Sequence, residues 1–230
     1  MDCQPWMTDQ QRAMTAVFAQ PAERRRSMPP NAHQPPAPQR ARVSSFERAS
    51  IDEIRRHARR LAVFATAVGR HIGLADGDLQ RLRTGSLLHD VGKTALPPQV
   101  LFKCGRLTAE EFAAVKYHPV IGDLLCAQVP GLSALRPMVR HHHERLDGSG
   151  YPDGLAGDAI PLLAQIVGVA DVFDALVYAR PYKPAFDADH AFSLLRREVD
   201  LGWRSADLVD ALIAIVESGE ADWLSTVASV

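Results

Sequence analysis

The most constraining feature of this sequence is an apolar stripe with helical spacing that begins shortly after residue 46. Its residues recur at alternating intervals of three and four, which places them on one face of a helix. They are Ile51, Ile54, Ala58, Leu61, Ala65, Val68 and Ile72. Apolar spacing and helix-start signals predict further helices at 76–89, 108–116, 119–128, 132–144, 161–179, 187–199 and 205–217. Because strand signals are nearly absent, we expect an all-α domain.

The composition of residues 1–45 differs from that of the remaining chain. This part holds seven of the 16 prolines, and residues 29–40 have neither helical nor strand periodicity. Such a segment cannot bury enough apolar surface to offset the cost of ordering it. We therefore expect a proline-rich, largely disordered N-terminal extension over 1–45 and one domain over 46–230. The arginines at 24–26 fit either a solvated tether or a docking site for an anionic partner.

Charge and cysteine usage exclude several classes of protein. The 26 Lys and Arg against 27 Asp and Glu give a net charge of −1, which does not favour DNA binding through a basic field. The sequence has no apolar run of about 18 residues or more, so we expect no membrane span. Cys3, Cys104 and Cys126 are scattered, which is typical of reduced thiols in a cytoplasmic protein.

Polar residues on otherwise apolar helices are the candidates for chemistry. Seven of the nine histidines lie between His57 and His143. Asp171 lies within an apolar helical segment, where an unpaired carboxylate is costly. The His89-Asp90 pair ends an apolar run and suits a site with two metal ions, because the carboxylate can bridge them. Imidazoles and carboxylates on inward-facing helices, without thiolates, are typical ligands of divalent transition metals.

Each of these features alone also fits a structural role. Glu53 and His57, one turn apart, fit a surface helical pair. The consecutive histidines at 142–143 fit a helix end that interacts with the helix dipole. Asp171 fits a carboxylate bonded to a backbone donor. The metal-site interpretation depends on their occurring together.

Six strings of the chain resemble the HD-GYP family, a subgroup of the HD superfamily of metal-dependent phosphohydrolases. The strings are E-x-x-x-H-x-x-R (53–60), LLHDVGK (87–93), LFKCGRLTAEEF (101–112), K-x-H-P (116–119), HHERLDGSGYPDGLAGDAIPL (142–162) and ADVFDALVYARPYK (170–183). The long HHE-x-x-DG-x-GYP string is the most specific of them. The resemblance covers about 46–217 and implies a helical bundle with a metal cluster in its core.

The resemblance implies a bacterial phosphodiesterase that hydrolyses cyclic di-GMP to pGpG and, in some members, on to GMP. It also implies two or three divalent metal ions; mixed His and carboxylate ligation suits Fe or Mn, with Zn as an alternative. Glu53 matches the glutamate that members with a third metal ion use. The implied metal ligands are Glu53, His57, His89, Asp90, His118, His142, His143 and Asp171.

Substrate contacts are implied for Lys93, Tyr151, Arg180 and Lys183, and catalytic roles for Asp90 and Lys93. Three cations beside the metal ions suit a substrate with two phosphodiester charges. Tyr151 offers a ring to stack on guanine and a hydroxyl for a phosphate. The implied nucleophile is a metal-bridging hydroxide beside Asp90, with the metal charge and Lys93 stabilising the transition state.

Two other functions remain open at this point. One is an HD phosphohydrolase for another cyclic dinucleotide or nucleotide, such as a nucleoside triphosphate or ppGpp. The other is a non-catalytic module that senses cyclic di-GMP or docks diguanylate cyclases (GGDEF proteins) through the GYP loop at 145–161. The GYP loop and the RPYK string favour cyclic di-GMP hydrolysis, and the complete ligand set argues against a degenerate sensor.

Overall fold

A helical architecture is present throughout the described residues of the computed structural model, which are 45–103, 105–179 and 185–219. These residues contain no β-strand, only an isolated bridge between Asp147 and Ala156. The helices are α1 (Ser45–His71), α2 (Asp76–Leu88), α3 (Pro98–Leu101), α4 (Ala109–Val115), α5 (His118–Ala127), α6 (Arg136–His141), α7 (Leu162–Val177), α8 (Ala188–Asp200) and α9 (Ala206–Ser218). The all-α prediction is confirmed.

Helix α7 lies at the centre of the core, as its nearly continuous apolar surface requires. Phe173 of α7 packs edge-to-face on Phe64 of α1, with ring centroids 5.1 Å apart. On α8, Phe192 stacks on the same Phe173 at 5.9 Å. The predicted stripe of α1 is buried at Leu61, but Ile54 is 39% exposed because the first turns of α1 extend beyond the packed core.

The region predicted as one helix over 132–144 is divided in the structure. A 3₁₀ turn at Ser133–Leu135 precedes α6, which has Pro137 in its first turn and ends at His141. The last turn tightens to an i→i+3 hydrogen bond, in which Glu144 N donates to His141 O at 3.0 Å. His142 and His143, which were predicted to end this helix, lie in the turn that directly follows α6.

The start of α4 is correctly given by its capping box. Thr108 Oγ1 accepts from Glu111 N at 3.2 Å, and Glu111 Oε2 accepts from Thr108 N at 2.7 Å. Two short elements that the sequence patterns do not predict, the 3₁₀ turn Val91–Ala95 and α3, connect α2 to this cap.

Several sequence predictions concern residues outside the described ranges. The extension over 1–45 lies outside them except for Ser45, so the domain boundary stays a prediction. Cys3, Cys104, Arg180 and Lys183 also lie outside them. In the described part of the chain, no helix combines the length and the apolarity needed to cross a membrane.

Candidate metal centre

The turn that carries the His-Asp pair packs directly against α5. A Cβ on Gly92 would lie 1.9 Å from His118 O and 2.6 Å from Gly122 N, so only glycine fits there. This close approach of backbone to backbone brings the start of α5 to the end of α2. As a result, His118 Nε2 lies 3.0 Å from Asp90 Oδ1.

Six of the predicted ligands form two adjacent groups that share one carboxylate. Ligand atoms within each group lie within 4.8 Å of one another, and Asp90 belongs to both groups. We call them group A (His57, His89 and Asp90) and group B (Asp90, His118, His142 and His143). A carboxylate with one oxygen available to each group can bridge two metal ions, as the sequence predicts.

Backbone carbonyls fix the orientation of three imidazoles. Nδ1 of His89, His118 and His142 lies 2.8 Å from the carbonyl oxygen of the residue three positions earlier. Because a carbonyl only accepts, Nδ1 must carry the proton, and Nε2 of each neutral ring is then left with a lone pair. The lone pairs are directed into the two groups, which is the usual arrangement behind a metal ligand.

These lone pairs face one another, which makes the site suited to cations. His118 Nε2 lies 3.4 Å from His142 Nε2. In group A, His89 Nε2 lies 3.4 Å from His57 Nε2, which carries a proton when His57 is charged. Asp90 Oδ1 is buried and has no hydrogen-bond partner in the described part of the chain. Acceptor atoms this close repel unless a cation lies between them, and a donor set of imidazole nitrogen and carboxylate oxygen suits a divalent metal ion.

The ionisation states agree with this interpretation. Burial, together with the neighbouring His89 and His118, lowers the pKa of His142 to about 3, so this ring is neutral. Burial and His142 also hold the pKa of His143 well below its usual range. Burial opposes ionisation of Asp90, but His89 and Lys93 outweigh it and keep the pKa of this carboxyl well below its usual value. Group B therefore offers neutral imidazoles at His142 and His143 beside an ionised carboxylate.

His57 is oriented by a buried carboxylate on α7. Its Nδ1 lies 2.6 Å from Asp174 Oδ2, and its Nε2 lies 3.3 Å from Asp171 Oδ1. Asp174 also accepts from Arg60 Nε at 2.6 Å and Nη2 at 3.0 Å. Burial lowers the pKa of His57, but the hydrogen bonds to the two aspartates raise it to about 9. A metal ion at this nitrogen must therefore displace a proton.

Glu53, the candidate ligand for a third metal ion, is not part of either group. Its Oε1 accepts from Arg60 Nη2 at 2.9 Å, and its Oε2 accepts from Arg56 Nε at 3.0 Å. Asp171 also lies outside both groups but touches group A through His57. The ligand roles of Glu53 and Asp171 stay predictions.

The GYP loop folds back on the histidine turn. Tyr151 N donates to His143 O at 3.3 Å, and the two rings stack with centroids 4.8 Å apart. Glu144 Oε1 accepts from the backbone N–H groups of residues 153 and 154 at 2.7 and 3.1 Å. A Cβ on Gly150 would lie 2.4 Å from Glu144 Cα, so the loop can approach this closely only with glycine. The loop thus places Tyr151 against group B.

Lys93 lies beside the shared carboxylate. Its Nζ donates to Asp90 Oδ2 at 2.5 Å, and its side chain is 31% exposed. The structure therefore brings together Lys93, Tyr151 and both groups, whereas Arg180 and Lys183 lie outside the described residues.

Sequence reasoning assigned no role to three residues that support the site. Arg60 and Asp174 hold His57, and Glu144 holds the GYP loop. A usable signal existed for the first two, because each lies three positions after a predicted ligand on the same helix and so shares a face with it. All three are among the buried polar residues.

Comparison with known proteins identifies the family of this chain and several of its relatives. The family model described as "HD domain" matches residues 49–204. The cyclic di-GMP phosphodiesterase response regulator RpfG of Xanthomonas campestris is 49% identical over 143 residues, covering 59% of this chain and 36% of that protein. The 3'3'-cGAMP-specific phosphodiesterase 3 of Vibrio cholerae is 36% identical over 143 residues, covering 62% of this chain and 31% of that protein. The chain thus spans about a third of the length of these relatives.

A solved structure shares the fold. Bd1817, a HDG"Y"P protein from Bdellovibrio bacteriovorus, superposes with a TM-score of 0.59 at 22% identity, covering 71% of this chain and 52% of that chain. Together with the HD domain match, this likeness in fold confirms the predicted HD-superfamily helical bundle.

Proposed function

The chain belongs to the HD domain family, and on that premise we propose that it hydrolyses the phosphodiester bonds of cyclic di-GMP. The observation that carries the proposal is the membership of Asp90 in both ligand groups, because a shared carboxylate is what a two-metal phosphoryl-transfer site needs. The choice of substrate is supported by the 49% identity to a cyclic di-GMP phosphodiesterase.

The proposed metal ions are iron or manganese, one held by group A with Asp171 and one by group B. When bound, divalent ions polarise phosphoryl oxygens and lower the pKa of bound water. The residues of the chain position these ions: Asp90 joins the two groups, and the carbonyl-bound imidazoles present lone pairs without reorganisation. A third ion at Glu53 requires release of the arginines that now bind it.

Substrate binding is proposed for Lys93, Tyr151, Arg180 and Lys183. Lys93 donates to Asp90 and is partly exposed, so its ammonium group can also donate a hydrogen bond to the reacting phosphate. The stacking of Tyr151 on His143 keeps its ring beside group B, with the hydroxyl available as a donor to a phosphate oxygen. The proposed product is pGpG or, after a second cleavage, GMP.

A second candidate substrate is 3'3'-cGAMP, which has one adenine in place of a guanine. It is favoured by the 36% identity to a 3'3'-cGAMP-specific phosphodiesterase. The phosphodiester chemistry is the same for both substrates, so the two candidates differ only in base recognition.

The test is anaerobic turnover of a panel of cyclic dinucleotides by the Mn²⁺- or Fe²⁺-loaded chain. We expect cleavage of cyclic di-GMP by the wild type and loss of cleavage in Asp90→Asn. A matched control is Asp123→Asn, which alters a buried carboxylate that pairs with Arg136 and belongs to neither group. A metal-loaded wild type that cleaves no cyclic dinucleotide would overturn the proposal, and binding of cyclic di-GMP would then indicate a sensor.

Three further expectations remain part of the proposal. They are docking of diguanylate cyclases on the GYP loop, a cytoplasmic location and a disordered extension over 1–45.

A further inference from the structure

A lysine that the proposed function does not use lies next to the GYP loop. Lys116 directly follows α4, and its Nζ is 5.0 Å from the ring centroid of Phe112 and 5.4 Å from that of Tyr151. Cation–π contacts of this kind hold an ammonium group in place without neutralising its charge.

The charge of Lys116 is unbalanced. The other two lysines of the described ranges each bind a carboxylate at 2.5 Å, Lys93 at Asp90 and Lys103 at Glu111. Among the ion pairs of those ranges, none involves Lys116. An ammonium group that no carboxylate neutralises favours an anion beside it.

The position of Lys116 relates this unbalanced charge to the metal centre. Its partner ring, Tyr151, stacks on His143 of group B at 4.8 Å. Along the chain, Lys116 also lies two residues before His118, another member of that group. The cation is therefore separated from group B by one aromatic ring, whereas Lys93 binds the shared carboxylate itself.

A cyclic dinucleotide carries two phosphate groups on one macrocycle, and only one can be at the reacting position. We propose that Lys116 binds the phosphate of the substrate that is not being cleaved. This inference rests on the proposed function, because it needs a substrate with two phosphates.

The inference makes a kinetic prediction. A contact with a non-reacting phosphate is made equally in the ground state and the transition state, so its loss raises KM and leaves kcat nearly unchanged. For a hydrogen bond to a charged group, the expected rise in KM is about 10- to 100-fold.

The experiment compares Lys116→Met with Lys103→Met in the manganese-loaded chain. Methionine keeps a flexible apolar stem on the two rings and removes the charge. The control removes an equal charge from a lysine that already has a carboxylate partner. We expect a higher KM, unchanged kcat and unchanged metal content in Lys116→Met, recovery in Lys116→Arg, and wild-type kinetics in the control.

Four outcomes overturn the inference or separate it from the proposed function. A KM for Lys116→Met equal to that of the control overturns it. A fall in kcat together with loss of metal also overturns it, since the lysine would then only support Tyr151 and His143. If the wild type binds cyclic di-GMP without cleaving it, the proposed hydrolysis fails, and the same variants are compared by calorimetric affinity. A wild type that neither cleaves nor binds overturns both.

Discussion

Replacing Asp174 by asparagine should weaken the binding of a metal ion at group A far more than the binding of one at group B. The side chain is fully buried and accepts from His57 Nδ1 and twice from Arg60. Asparagine keeps the shape of the side chain but loses its charge, so His57 loses the carboxylate that fixes its ring. Substitutions behind a metal-ligating histidine cost about 10- to 100-fold in metal affinity. Only group A contains His57, so we expect this loss at one ion alone.

The same substitution should also lower the stability of the protein. Arg60 is 4% exposed and would keep one carboxylate partner, Glu53, whose side chain is 28% exposed, together with its contact on the Tyr178 ring. Breaking a buried ion pair costs about 3–5 kcal/mol, and the remaining partner places this case near the lower figure. For a domain of this size, about 3 kcal/mol corresponds to a fall in Tm of about 6–12 °C.

The assay is a calorimetric titration of metal-stripped protein with Mn²⁺, together with thermal unfolding. Asp123→Asn is the matched control, because Asp123 is a buried carboxylate that binds Arg136 and Arg140 away from both groups. The control should lose stability and keep both metal affinities. An equal loss of affinity for both metal ions in Asp174→Asn, or no loss of affinity at all, would refute the reasoning.

Two further predictions concern packing and pH. Gly92→Ala places a methyl group 1.9 Å from His118 O and should lower both the Tm and the metal content. The control Gly77→Ala, in α2, meets only one atom at 3.8 Å and should not destabilise the protein. Equal Tm values for the two variants would contradict this prediction. In metal-free protein, the raised pKa of His57 gives stability that is full below about pH 6.5 and is lost as the pH rises through about 9, while the lowered pKa of His142 removes stability as the pH falls from about 6.5 towards 3. Melting of chelator-treated protein should therefore show a stability maximum near about pH 6.5, and a Tm that rises from there to pH 9 would be inconsistent with the cause assigned to His57.

Local patterns predicted the helices because their signals lie within a few residues. The capping box at Thr108 and the buried part of the α1 stripe at Leu61 are of this kind. The break before α6 was not predicted, because apolar spacing alone does not distinguish a 3₁₀ turn from an α-helix. The packing of Gly92 on α5 depends on backbone from two separate segments, which periodicity does not record.

The candidate site was predictable to a similar extent. The ligand types followed from the quoted strings, and the structure places six of the eight in two groups. The bond between Arg60 and Asp174 joins residues 114 positions apart, so no local pattern contains it. The hydrogen bonds from Arg56 and Arg60 to Glu53 were also not predicted, because the spacing of residues along one helix does not determine which charged side chains pair.

The carbonyl groups behind three of the imidazoles have a consequence for how the site withstands mutation. The backbone carbonyl three positions earlier orients each of these imidazoles, and no side-chain substitution can remove a backbone carbonyl. The three residues are His89, His118 and His142. His57 instead depends on a side chain 117 positions later. A single distant substitution can therefore disrupt the orientation of His57 in group A and leave the carbonyl-held imidazoles of group B in place. Relatives that lack Asp174 or His57 should therefore be the ones that lack the metal ion proposed for group A.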